Sequence, residues 1–80
     1  MCKMEAKEIV HEIITDLRAT CMRKGISPNR VLGYMGAYDC RIYYPKAITP
    51  DITLLAKLSG QGKRYEKIPG SKSNILKIYF

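Results

Sequence analysis

Residues 26–46 read "ISPNRVLGYMGAYDCRIYYPK", and the architecture turns on whether this stretch is helix, strand, or one followed by the other. Ser27 is a good N-cap, and Pro28 suits the first helical position, where its missing N–H costs nothing. Val31, Leu32 and Met35 supply a short apolar face, while Gly33 weakens a helix and Gly36 ends one. This pattern predicts two helical turns over 28–35. Beyond it the character changes. Tyr38, Ile42, Tyr43 and Tyr44 favour extended backbone, and Pro45 removes a ladder donor, so a short edge strand is expected over 40–44.

Upstream, "MEAKEIVHEIITDLRATCMRK" (4–24) has a helical period. Ala6, Val10, Ile13, Leu17 and Cys21 share one face, and Ile9 and Ile14 widen the stripe. Glu5, Glu8 and Glu12 sit early and Arg18, Arg23 and Lys24 late, which suits the helix dipole; Gly25 follows as a natural stop. The stripe is wider than a short core requires, so a homodimer through this N-terminal helix is an expectation.

Downstream, "ITPDITLLAKLSGQG" (48–62) has Thr49 as N-cap, Pro50 at the first helical position and Asp51 at the positive end of the dipole. Ile52, Leu55 and Ser59 lie on one side with Leu54 and Leu58 beside them, and Gly60 and Gly62 end the helix. A hairpin closes the chain, with strands over 63–68 and 74–80 joined by "PGSKSN". Leu76, Ile78 and Phe80 alternate with Ile75, Lys77 and Tyr79, giving one apolar face and one that mixes cations with tyrosine. The expected fold is a single α+β domain over 1–80, in the order α-α-β-α-β-β.

Eighty residues, 46% hydrophobic and 26% charged, describe one small folded domain. No apolar run approaches the roughly 20 residues that span a bilayer, and Glu5 and Glu8 interrupt any signal-like core, so a cytoplasmic protein with no membrane partner is expected. Cys2, Cys21 and Cys40 are scattered without a CxxC, and His11 is the sole histidine. That set nominates neither a disulfide framework nor a metal centre, and no cofactor is expected. The acids form no evident general acid and base pair, and "SGQG" (59–62) ends a helix instead of following a strand as a phosphate loop would. The sequence therefore gives no support to an enzyme.

The net charge of +7 is uneven: residues 57–80 hold six basic groups against Glu66 alone. Such asymmetry favours polyanions. Residues 48–80, a capped helix running through a glycine into a basic hairpin, resemble the C-terminal half of winged helix-turn-helix DNA-binding domains. A connection of about thirteen residues between the first candidate helix and the second departs from the tight turn of that family. The resemblance implies a DNA-binding regulator of transcription with a recognition helix over 49–59. Thr53 and Lys57 would be its outward residues, with Gln61 and Lys63 following. Arg64, Lys67, Ser71, Lys72 and Ser73 on the wing would meet phosphates, contacts that set affinity without reading sequence.

Two other readings stand beside it. Lysines on a terminal hairpin also guard a sheet edge against pairing with other chains. Tyr34, Tyr38, Tyr43 and Tyr44 lie within eleven residues and could be half-buried core rings, a protein-binding surface, or a platform for single-stranded bases. A small protein-binding regulator or inhibitor using that tyrosine surface is the alternative function. Accessory proteins of viruses and mobile elements are often short, basic single domains of this sort.

Overall fold

The computed structural model describes residues 5–80. Its first element, α1 (Ala6–Arg23), is the helix expected from the periodicity. Ile9, Val10, Ile13, Leu17 and Cys21 are all buried, and Ile14 packs beside them. Those five stripe residues are thus spent within the chain's own core, and Met22 is the exposed large apolar side chain that α1 keeps among the described residues. Met4 and Cys2 lie outside the described residues. Lys24 caps the helix, and Gly25, at φ 73°, turns the chain in a conformation that side chains rarely adopt.

The helix expected over 28–35 does not form. Ser27 does cap, its Oγ accepting from the Asn29 N–H at 3.3 Å, but only a 3₁₀ turn (Pro28–Arg30) follows. The chain then extends as β1 (Leu32–Met35). Gly33 lies where that strand passes nearest to α1. A Cβ there would lie 2.8 Å from Ile14 Cδ1, so the glycine marks where a strand crosses close over α1. Val31, buried beside it, anchors the crossing.

The strand expected over 40–44 is β2 (Asp39–Pro45), and it is not an edge. It pairs antiparallel with β1 on one side and with the last strand on the other. Pro45 sits at its very end, opposite Ser73, where a lost donor costs least. The helix α2 (Ile52–Gly60) starts later than Thr49 predicts, because Asp51 is the cap: its Oδ1 accepts from the Thr53 N–H at 2.8 Å. Leu54, Leu55 and Leu58 are buried, whereas Ile52 is 78% exposed.

The hairpin forms β3 (Tyr65–Ile68) and β4 (Ser73–Tyr79). All four strands make one antiparallel sheet, ordered β1-β2-β4-β3. The fold is therefore a small α+β domain. Between α1 and α2 it holds a 3₁₀ turn and two strands, so the expected order α-α-β-α-β-β gains a strand and its second helix shrinks to one turn. Residues 28–59 contain a single α-helix, α2, and β3–β4 is half of a continuous sheet instead of a free-standing wing.

Both helices pack on one face of the sheet. Cys40, Ile42 and Tyr44 of β2 and Leu76 and Ile78 of β4 meet Ile9, Ile13, Leu17 and Leu58 there. By alternation the opposite face, carrying Arg41, Tyr43, Ile75, Lys77 and Tyr79, is uncovered. Tyr44 is only 2% exposed and belongs to the core. Cys21 and Cys40 are both buried, with free thiols. Among the described residues, no helix is long and apolar enough to cross a membrane.

Burial raises the Cys40 thiol above its ordinary 9.0, with the Asp39 carboxylate adding to the effect, and burial likewise raises the Tyr44 hydroxyl above 10.0. Above those ordinary values the unfolded chain loses protons that the folded chain keeps, so stability falls as pH rises. Thermal melts are expected to decline above about pH 9, and more steeply for the wild type than for a Cys40→Val, Tyr44→Phe variant. Parallel slopes would refute the assignment. Gly70 makes a second test. A Cβ there would collide with the backbone carbonyl of Ser73, which has no side-chain freedom to yield. Gly70→Ala should cost about 1–3 kcal/mol in urea denaturation, in the range of other overpacked sites.

Candidate nucleic-acid interface

Sequence order spreads the predicted phosphate-binding residues along one hairpin; the fold divides them. Thr53 and Lys57 are exposed on α2. Lys57 Nζ lies 4.0 Å from Glu12 Oε2 on α1. Glu12 belongs to a file of acids, Glu5, Glu8, Glu12 and Asp16, whose spacing puts them on one helical face. His11, Glu12 and Asp16 line the groove between the helices opposite Leu54. The outward side of α2 thus has carboxylates for neighbours, which repel phosphate.

Gln61, Lys63 and Arg64 follow at the C-terminal end of α2, where the backbone N–H groups of Gln61 and Lys63 both donate to the Leu58 carbonyl at 3.0 Å. Arg64 accepts through its carbonyl from the Tyr79 N–H at 2.8 Å and holds its guanidinium 5.4 Å above the Tyr79 ring. Ser71, Lys72 and Ser73 lie past the other end of β3, roughly 13 Å away at the usual strand rise. Lys67 lies toward that second end.

That second end gathers charge from residues the sequence left apart. Lys24, at the C-terminus of α1, donates to the Ala47 carbonyl at 3.1 Å. Arg30, the last residue of the 3₁₀ turn, donates to the Lys72 carbonyl at 3.4 Å. Lys46 follows Pro45 and Lys72 precedes Ser73, and Pro45 and Ser73 are register partners. Lys67 lines a cleft of about 170 Å³ with Thr49, Pro50 and Tyr44. Asn74 lies on the same wall, and its buried Oδ1 has no protein partner among the described residues. Lys24, Arg30, Lys46, Lys67 and Lys72 are all exposed. Of the chain's seven acids, three are on α1 and Glu5 is at its N-cap, while Asp39 and Glu66 are on the uncovered sheet face. Only Asp51 remains near the cations, and its carboxylate is engaged in capping α2.

Lys24, Arg30 and Lys46 were missed because each is a lone cation in its own segment. Their shared signal is position: each stands at or just past the end of an element. Topology then decides that those ends coincide.

The uncovered face forms rows across the strands. Leu32, Tyr43, Ile75 and Ile68 stand in register as one row, and Tyr34, Arg41, Lys77 and Glu66 as the next. Tyr34 and Tyr43 meet edge to face at 5.6 Å. Asp39 stands within 3.6 Å of Arg41 and 3.9 Å of Lys77. Lys77 Nζ also lies 5.0 Å from the Tyr79 ring centre. Tyr34 is 56% exposed and Tyr38, in the β1–β2 turn, 82%. Of the four clustered tyrosines, then, three are available at the surface and Tyr44 is not.

No three His, Cys, Asp or Glu side chains among the described residues converge as a metal site requires. His11 is exposed on α1, while Cys21 and Cys40 are in the core. Comparison with protein-family models, curated proteins and solved structures finds no match, so geometry and charge carry the functional reading.

Five like charges with one acid nearby repel each other in the free protein. Lys46→Gln and Lys72→Gln are therefore expected to leave stability unchanged or raise it by up to about 0.5 kcal/mol at low salt, a gain that screening removes by about 0.2 M NaCl. A loss of stability in urea titrations would instead assign these lysines a structural role.

Proposed function

We propose that this protein is a small non-enzymatic regulator that binds DNA, gripping the phosphate backbone with its basic end. The observation that carries the reading is the convergence of Lys24, Arg30, Lys46, Lys67 and Lys72 from separate parts of the chain, with the carboxylates sorted elsewhere. Cations held this way release counterions on binding, so affinity falls steeply with salt. Lysine predominates over arginine at this end, which suits backbone contact better than bidentate reading of guanine. Ser71 and Ser73 flank Lys72 and can add hydroxyl contacts to phosphate.

The winged-helix resemblance would instead place α2 in the major groove. Lys57, paired with Glu12 beside the acidic file of α1, makes that docking less favourable than contact through the basic end. The alternative, a protein-binding regulator, is favoured by one observation: Tyr38, Tyr34, Leu32 and Met35 are exposed together at the β1 edge.

Fluorescence anisotropy with a labelled random duplex, repeated across salt concentrations, tests the reading. Micromolar binding is expected at low salt. Lys46→Glu combined with Lys72→Glu should weaken it at least about tenfold and flatten the log–log salt slope by about two, one for each lost phosphate contact. Lys57→Glu and Tyr38→Ala should change little. Absence of binding at low salt, or equal loss from Lys57→Glu, would sink the basic end as the contact surface.

A further inference from the structure

The sheet has two edges, β1 and β3, and they are built differently. β3 carries Glu66 and Lys67, charges of the kind that keep an edge from pairing with other chains. β1 is Leu32-Gly33-Tyr34-Met35, with no charge, no proline and an unbroken register to β2. Leu32, Tyr34 and Met35 are all exposed along it. We propose that β1 pairs antiparallel with β1 of a second copy of this chain, about a two-fold axis at Tyr34, joining two sheets into one of eight strands. This inference goes beyond the DNA-binding reading and does not rest on it.

The backbone selects that axis. The Gly36 N–H donates to the Asp39 carbonyl at 2.7 Å. Alternation along the ladder then turns the N–H and C=O groups of Tyr34 and Leu32 toward β2, and those of Gly33 and Met35 outward. With the axis at Tyr34, Gly33 of each copy faces Met35 of the other, and these outward groups exchange four hydrogen bonds. Moving the axis to Gly33 would bring Met35 opposite Val31, whose backbone is already engaged. The Val31 N–H donates to the Pro28 carbonyl at 3.1 Å, and its carbonyl accepts from Arg18 at 3.2 Å. Moving it to Met35 would bring Gly33 opposite Ala37, which lies beyond the strand.

Side chains fit the same register. On the helix-covered side, a hollow of about 270 Å³ lies between β1 and α1, walled by Val10, Ile14, Gly33 and Met35 together with Lys7 and His11. Gly33 offers no side chain there, and Met35 of the second copy arrives directly opposite it, an unbranched thioether suited to filling an irregular gap. Lys7 and His11 are exposed, so their polar ends stay in water while their stems cover the hollow. On the other side of the sheet the two Tyr34 rings face each other across the axis.

Charge favours a second copy as the occupant. Two chains of +7 repel, and β1 is a margin where neither presents a charge of its own. Leu32 is in register with Tyr43, toward the basic end, and Met35 with Cys40, away from it. Antiparallel pairing therefore sends the two basic ends to opposite ends of the enlarged sheet.

Sedimentation velocity over a concentration series tests the pairing on the free protein. Wild type should pass from monomer to dimer, and more readily as salt rises to about 0.5 M, because screening relieves the repulsion between two cationic chains. Tyr34→Lys and Tyr34→Glu should each weaken the dimer at least about tenfold, since like charges then stand directly opposite. An equimolar mixture of the two should recover it, because only there does a lysine face a glutamate. Met35→Pro removes an outward N–H, which an edge strand tolerates, and should give a folded monomer. Glu66→Gln, on the other edge, should dimerise as wild type. Circular dichroism melts identify the folded variants. If a Tyr34 variant does not fold, Met35→Pro decides, and if Met35→Pro does not, the charge exchange decides. A monomer at every concentration to about 1 mM overturns the proposal. So does a dimer that folded Met35→Pro or Tyr34→Lys leaves intact, and a mixture that stays monomeric overturns the axis at Tyr34.

Discussion

Seven register pairs, from Asp39 with Tyr79 to Pro45 with Ser73, join β2 to β4, and the rest of the molecule is arranged around that seam. It links the middle of the chain to its end. It makes a four-stranded sheet out of two hairpins, either of which alone would be marginal in water. On its inner side it sets Cys40, Ile42 and Tyr44 beside Leu76 and Ile78, and so creates the apolar floor on which both helices bury their stripes. Its outer side is left to solvent.

The same seam sorts charge. Antiparallel pairing returns the chain to the same end of the sheet, so Lys46 and Lys72 become neighbours although 26 positions separate them in sequence. The antiparallel course of α1 and α2 over the sheet does the same for Lys24, placed against Ala47 at the start of the loop into α2. The acids of α1, meanwhile, run along a face that adjoins α2 and the groove between the helices. A charge of +7 thus becomes a directional field, and direction is what a polyanion responds to. None of the exposed ion pairs needs to contribute much stability for this to hold, since such pairs are worth about 0–1 kcal/mol.

The local signals in the sequence were strong where a single element could be read by itself. The α1 stripe, the helix ending near Gly60 and the alternation of residues 73–79 each follow from side chains within a few positions of one another. Residues 28–35 misled because Ser27 and Pro28 are a true helix start, but one that runs for a single 3₁₀ turn. Gly33 reads differently in its tertiary setting, because of Ile14, nineteen positions away: a glycine that merely weakens a helix in isolation lies here where a strand passes close to a side chain of α1. Pro45 misled similarly, since a proline within a strand suggests an edge, yet here it ends a central strand.

By itself, then, the sequence determined the fold class, the long helix, the capped helix, the terminal hairpin and the overall positive charge. Each depends on propensity, period or composition, which act over a few residues or over none. Tertiary structure alone decided that β4 is central, that Tyr44 is core while Tyr34 and Tyr38 face solvent, and that Lys24, Arg30, Lys46, Lys67 and Lys72 share one end. These outcomes are set by strand register and by which side of the sheet the helices cover. Both are relations between segments far apart in the chain, and no local pattern encodes them.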